Sequence, residues 1–317
     1  MNTNIRQQLI KGLGKASLKL NEPMKSHTTF GIGGPAEAFY VVKKTKDLIK
    51  AVKLARNLKT PYFILGGGSN ILVSDKGFKG IVIKNKTTDY RLQTTEIFAE
   101  PGLKLSKLVK IATENSLSGL EFAAGIPGTL GGAIVGNSGT KAGSISDVVE
   151  KVTILGETKG PPREWDIRLS SVEGPEEPPG VKGLARSNCH FSYRTSRFKK
   201  SGEIILSAVL KLKKDKKQEI KKKLKKALES RRNQPWGKSA GCIFKNPKGK
   251  SAGALIEQAN LKGKRIGDAQ ISKKHANFIL NLGCAKASDV LELIAEVKKK
   301  VWERFRVKLE EEIVIVS

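Results

Sequence analysis

Cysteine and histidine are both scarce, with three of each in 317 residues, and Cys189, Cys242 and Cys284 stand far apart. An odd number at wide spacing supports neither a disulfide framework nor a Cys-x-x-Cys zinc site. With only His27, His190 and His275 to add, no structural metal is expected. Long apolar runs are missing too. None reaches the ~18 residues of a membrane helix, and the opening MNTNIRQQLIKGLGKASLKL lacks the continuous apolar stretch of a signal peptide. A cytoplasmic chain without membrane insertion is therefore expected, and it is expected to be a monomer. With 12 Pro against 32 Gly and 38% hydrophobic residues, neither a collagen repeat nor a mostly disordered chain fits. The length leaves room for two or three domains and a substantial core.

Acidic residues are in deficit: 30 Asp and Glu face 59 Lys and Arg, a net charge of +29. That balance invites a nucleic-acid reading. The lysines are spread along the chain, however, and the densest run, residues 211–232, has no aromatic residue to stack on a base. A solvated basic helix accounts for the run, and the overall positive field favours capture of a polyanionic small molecule.

Residues 45–58 place Leu48, Val52, Ala55 and Leu58 on one helical face, with Thr45 as the expected N-cap. PYFILGGGSNILV then reads as strand, glycine-rich loop and strand, and IVIKN as a further strand. A second amphipathic helix is expected over 103–116 through Leu105, Leu108, Val109 and Ala112. The Pro- and Gly-rich stretch 156–183 reads as a long surface loop or insertion. Beyond it, EIILSAVLKL (203–212) is strand-like and leads into the Lys-rich helix, which reads as a linker to the last part of the chain. There SAGALIEQANL and KASDVLELIAEVKKKVWERF are helical, the second capped by Ser288 and striped by Val290, Ile294, Val297, Val301 and Phe305. The closing VKLEEEIVIVS reads as a strand.

Two glycine-rich segments carry the first candidate site. In ILGGGSNILV, Gly66, Gly67 and Gly68 can expose successive backbone N–H groups in a concave turn, and Ser69 and Asn70 add polar side chains, an arrangement that suits a pyrophosphate. In GIPGTLGGA, Pro127 fixes the chain before Gly128 and Thr129, and a helix starting near Leu130 could aim free N–H groups at an anion. Gly125, Ile126, Gly132 and Asn137 complete the expected cofactor contacts of this segment. Either loop alone could be a tight turn between strands, but two in one domain point to a shared dinucleotide. The P-loop and Rossmann patterns both fail: GLGKAS has the wrong spacing, and no G-x-G-x-x-G opens a helix after a strand.

A specific resemblance follows from seven motifs in order: HTTFGIGGPAEAF, FILGGGSNILVSDKGF, GLEFAAGIPGTLGGAIVGNSG, FSYRTSRF, SAGCIFKNP, AGALIEQANLKGKRIGDAQISKKHANFILN and LEEEIVIV. Together they resemble the UDP-N-acetylenolpyruvoylglucosamine reductases. The resemblance implies an α+β chain: a two-part FAD-binding domain of the vanillyl-alcohol-oxidase (PCMH-like) type over 21–212, then a smaller α+β substrate-binding domain over 213–317. Residues 1–20 would be an N-terminal extension and the region near 156–190 an insertion. FAD is the implied bound cofactor and NADPH the cosubstrate. NADPH would reduce the flavin and leave, and hydride would then pass to the vinyl carbon of UDP-N-acetylglucosamine-enolpyruvate to give UDP-N-acetylmuramate.

That addition drives negative charge onto the substrate carboxylate, so a cation and acids are needed close by. The resemblance places Arg194 on the family's catalytic arginine and Glu312 on the glutamate that acts with it. Glu310 is expected on the same strand face as Glu312. Cys242 stands where the family usually has a serine, as the expected proton donor. Its thiol is expected to be acidified by Arg194 and nearby lysines. Tyr193, Lys245, Asn246 and His275 are implied as substrate-pocket residues. Two rival readings are another flavin oxidoreductase on the same fold and a Lys-rich nucleic-acid-binding protein.

Overall fold

The computed structural model describes residues 1–156 and 180–317. All but the ends of the 156–183 insertion therefore lie outside the described residues. The strands flanking it, Val149–Leu155 and Val181–Ala185, pair antiparallel, and Gly156 N donates to Gly180 O at 2.8 Å.

The first lobe is a four-stranded sheet in the order Leu18–Pro23, Pro35–Val42, Phe78–Asn85, Tyr62–Leu65. Its last three strands run parallel, so their carboxyl ends lie at one edge, where open sheets of this kind place ligands. Strand alternation explains the two faces. Ile81 and Ile83 pack against the helix Thr45–Asn57, whose Leu48, Val52 and Ala55 are buried as the periodicity requires, and Val82 faces the opposite layer with Phe39, Leu65 and Val73. The second lobe is a five-stranded antiparallel sheet, Val181–Ala185, Val149–Leu155, Ile204–Lys211, Glu96–Ala99 and Tyr90–Gln93. It packs on the helices Leu105–Glu114 and Leu130–Gly136.

The Lys-rich segment forms the helix Lys217–Glu229, a solvated basic helix in which Ile220 is the buried residue. It packs against the turn Glu121–Ala123 and the helix Leu105–Glu114, and Lys213–Lys214 just before it pairs with Leu117–Ser118. Residues 213–229 thus still pack on the second lobe. The third lobe holds a three-stranded antiparallel sheet (Arg265–Ile266, Ala269–Ile271, Ile279–Asn281) under the helices Ala252–Gln258 and Ala287–Phe305. The predicted stripe of Val290, Ile294, Val297 and Val301 is buried, and Phe30, Ile32 and Leu72 of the first lobe enter the same core. The chain end is shorter as a strand than expected. Only Val314–Val316 are strand, and they return to the first lobe to pair parallel with Ile71–Val73.

Both expected helix caps are corrected. Lys44, not Thr45, occupies the N-cap of the first-lobe helix, and the Thr45 hydroxyl donates to the Glu100 carboxylate instead. Lys286, not Ser288, is the N-cap of the long helix. Its free N–H groups are met from another lobe, where the Asp75 carboxylate accepts from Ala287 N at 2.7 Å and Ser288 N at 2.9 Å. A carboxylate at that end also complements the helix dipole, so the contact holds the third lobe on the first. Among the described residues no helix is long and apolar enough to cross a membrane.

Candidate active site

The two glycine-rich loops face each other. Tyr62–Leu65 ends at the sheet edge and releases the chain into Gly66–Asn70, which Ile71–Val73 takes back. A Cβ on Gly67 would stand 2.8 Å from the Gly128 Cα, so the two backbones approach as only glycines allow. Gly68 has φ +72°, and a Cβ there would strike the His27 carbonyl. Ser69 Oγ donates to Pro127 O at 3.1 Å and ties the loops together. No acceptor among the described residues takes the backbone N–H of Gly66, Gly67, Gly68 or Ser69. Thr129 Oγ1 is buried without a partner among the described residues, 2.6 Å from where a Cβ on Gly66 would stand and near Gly132. A cleft with free N–H groups and an orphaned hydroxyl, and with no room for side chains, fits a diphosphate.

The short helix Leu130–Gly136 does not serve as expected. Leu130 N donates to Leu103 O and Gly131 N to Pro101 O, each at 2.8 Å, so its first N–H groups are already committed. Ile126 packs on the second-lobe core, and Gly125 is covered by Arg231, whose Nε would lie 3.2 Å from a Cβ there. Asn137, in the left-handed conformation that ends the helix, donates from Nδ2 to Ser192 O at 2.9 Å. Its side chain therefore steers the next functional segment. Asn70 does likewise: its Nδ2 donates to Glu312 O at 3.2 Å, and its carbonyl accepts from Val314 N.

Ser192 and Thr195 pair through both backbone hydrogen bonds at 3.1 Å, which puts Tyr193 and Arg194 at the tip of a tight turn. Arg194 has φ +56°, a conformation that costs a non-glycine residue energy and tends to mark functional positions. Its carbonyl accepts from Lys199 Nζ at 2.7 Å. The guanidinium lies over the Tyr193 ring, 5.5 Å from the centroid, with Nε 2.9 Å from Glu312 Oε1. The Nε–H is not aligned on that oxygen and has no other acceptor, and no acceptor among the described residues engages the terminal nitrogens. Arg194 is thus a charged fork still open to a carboxylate.

Glu312 is delivered by backbone pairing. Its N–H donates to Ile243 O at 2.7 Å, and Lys245 N donates to Glu310 O at 2.9 Å. Glu311 is turned to Lys298, whereas Glu310 pairs with Lys245 and Glu312 with Arg194, which gives the flanking pair the shared face expected of them. Burial pushes the Glu312 carboxyl up, against the pull of Arg194. Cys242 lies on the same segment. Asn277 fixes that segment, with Ile243 N on its carbonyl at 2.8 Å and its side-chain amide bonded both ways to Phe244.

The thiol does not behave as expected. Burial, reinforced by the Glu312 charge, pushes Cys242 up to about 12, and Arg194 and Arg231 only partly oppose this. Tyr193 and Asn246 are brought to this group, Asn246 N donating to the Tyr193 hydroxyl at 3.3 Å. His275 stands against Gly253 and edge-on to Phe278 at 5.1 Å, its basicity lowered by burial. Two residues near the cleft escaped the sequence reading: Arg231, half-buried between Gly125 and Cys242, and Lys84, whose Nζ donates to Gly66 O at 2.6 Å. Lys84 had a signal, since alternation along IVIKN puts it on the loop-facing side with Val82. Among the described residues no group of three His, Cys, Asp or Glu could hold a metal ion.

A family model described as FAD binding domain matches residues 36–160, and one described as UDP-N-acetylenolpyruvoylglucosamine reductase, C-terminal domain, matches 230–316. The chain is 42% identical to the UDP-N-acetylenolpyruvoylglucosamine reductase of Caldanaerobacter subterraneus over 96% of its length and 95% of the relative's. It is 41% identical to that of Alkaliphilus oremlandii over 98% and 96% of the two chains. The crystal structure of the reductase from Thermus caldophilus superposes with a TM-score of 0.76 at 37% identity, covering 95% of this chain and 98% of the other.

Proposed function

The chain belongs to the UDP-N-acetylenolpyruvoylglucosamine reductase family, a flavoenzyme with an FAD-binding fold of the vanillyl-alcohol-oxidase type, and from that premise we propose that it reduces UDP-N-acetylglucosamine-enolpyruvate to UDP-N-acetylmuramate in the cytoplasm, with NADPH as reductant. The product serves peptidoglycan precursor synthesis. The observation that carries the reading is the convergence of Arg194, Glu312 and Cys242, from three distant segments, beside the glycine cradle. FAD, when held by Gly66–Ser69 and Thr129, supplies the two-electron relay between NADPH and the vinyl carbon.

The chain's own residues handle the substrate. The open guanidinium of Arg194 pairs with the substrate carboxylate and stabilises the negative charge that hydride addition puts there. Glu312 sets the orientation of that guanidinium through its 2.9 Å contact. Cys242 keeps its proton at neutral pH and gives it to the carbon beside the carboxylate, the role a serine fills elsewhere in the family. Tyr193, Lys245, Asn246 and His275 are assigned to the sugar-nucleotide pocket. NADPH oxidation with and without the enolpyruvyl sugar nucleotide tests the proposal. Continuous turnover should require the sugar nucleotide, and turnover that ignores it would favour another flavin oxidoreductase on the same fold.

A further inference from the structure

Lys84 has no part in the reaction just described, and its surroundings are unusual for a lysine. It sits between buried Ile83 and Asn85 near the carboxyl end of a parallel strand, half-buried, with Nζ 2.6 Å from Gly66 O. The charged groups that act on it are Lys86, just past the same strand, and Lys104, ahead of the helix Leu105–Glu114, and both are cations. Among the described residues no carboxylate pairs with it. Burial and these two neighbours bring its ammonium down to about 8. A partly desolvated cation facing only like charge and one neutral carbonyl is a costly arrangement unless an anion completes it. Also at Gly66 stands the unpartnered hydroxyl of Thr129. An ammonium has three donors, and two remain after Gly66.

We infer that Lys84 is a cofactor-binding residue whose ammonium, with the Thr129 hydroxyl, holds a phosphate oxygen of the FAD diphosphate at the Gly66–Ser69 turn. This rests on the reading of the two glycine-rich loops as the FAD cradle. An anion bound to the ammonium raises its pKa, so FAD selects the protonated form. Affinity is then full below pH ~8 and falls above it by up to about tenfold per pH unit, with a proton taken up on binding.

The test is FAD titration of apoprotein, followed by quenching of flavin fluorescence from pH 6.5 to 9.5, for the wild type, Lys84→Met, Lys84→Arg and Gly67→Val. Lys84→Met should bind FAD about 10- to 100-fold more weakly at pH 7, the scale of one charge-assisted hydrogen bond, and lose the decline above pH 8. Lys84→Arg should bind well with a flat profile, because a guanidinium does not deprotonate in this range. Wild-type affinity and pH profile in Lys84→Met overturn the inference, as do parallel profiles for Lys84→Arg and wild type should the methionine variant not fold. Undiminished FAD binding by Gly67→Val would instead overturn the cradle reading itself.

Discussion

The protonation state of Cys242 decides whether it can act as an acid, and disulfide exchange measures it directly. An unperturbed thiol of pKa ~8.5 is about 3% thiolate at pH 7. With Cys242 pushed up to about 12, its thiolate fraction there falls to about one in 100,000. Thiolate abundance alone therefore slows attack on a disulfide by about 3,000-fold. The more basic thiolate is also the better nucleophile, and a Brønsted coefficient of ~0.4–0.5 over ~3.5 pK units returns about 40-fold, leaving a net slowing of about 100-fold. The exposed Cys284, open to the reagent, is the internal reference, and Cys189, fully buried, is out of the reagent's reach.

Reaction of the folded protein with an aromatic disulfide, followed by absorbance and assigned by peptide mass mapping, should modify Cys284 first. In Cys284→Ser, the remaining rate should rise about tenfold per pH unit through pH 10 without levelling. Neighbouring charges set opposite signs. Glu312 raises the thiol pKa and Arg194 lowers it, so Glu312→Gln should speed modification and Arg194→Met should slow it. Modification of Cys242 at the rate of Cys284 at pH 7, or a plateau below pH 9, would refute burial as the dominant influence and restore an acidified thiol.

The helices and the strand–loop–strand around GGGSN were legible because each rests on local periodicity or turn chemistry. Leu48, Val52 and Ala55, and Val290 to Val301, are buried as their spacing requires. Caps were less legible where the partner comes from elsewhere. Ser288 looks like a cap in sequence, but Asp75, carried in from another lobe, takes the N–H groups. The closing strand is short because residues 310–312 pair with 243–245 before Val314 joins Ile71, two long-range pairings that the run LEEEIVIV does not encode.

The site shows the same limit. Arg194, Glu312 and Cys242 were found by motif resemblance, since nothing local to any of them specifies a partner far along the chain. The thiol is not acidified as its neighbouring cations suggest, because desolvation, which no count of cations in sequence contains, leads the influences on Cys242. The Leu130 helix offers no open N-terminus because its first N–H groups are satisfied by Leu103 and Pro101, far back along the chain, whose carbonyls only the fold brings there.

Gly67→Val should release FAD, because its Cβ would meet the Gly128 backbone at 2.8 Å; stoichiometric flavin in the folded variant would count against the cradle. Asp75→Ala should lower the urea midpoint by the equivalent of about 1–2 kcal/mol, the cost of losing one helix cap. Arg194→Ala and Glu312→Gln should show near-normal flavin bleaching by NADPH in rapid mixing, but reoxidation by the enolpyruvyl substrate slowed at least ~100-fold. Equal slowing of both halves would contradict that division. Cys242 carries the last prediction. A neutral thiol and a serine hydroxyl each offer one proton from the same backbone position, so Cys242→Ser should keep substantial turnover. Since the thiol does not ionise until about 12, the two pH profiles should coincide on their alkaline side up to pH ~10, where a thiol of pKa ~8.5 would already have lost its proton. Cys242→Ala offers no proton and should stop reoxidation by substrate while leaving reduction by NADPH intact. If the alanine variant turns over at full rate, the thiol serves packing only and water must protonate the carbon beside the carboxylate.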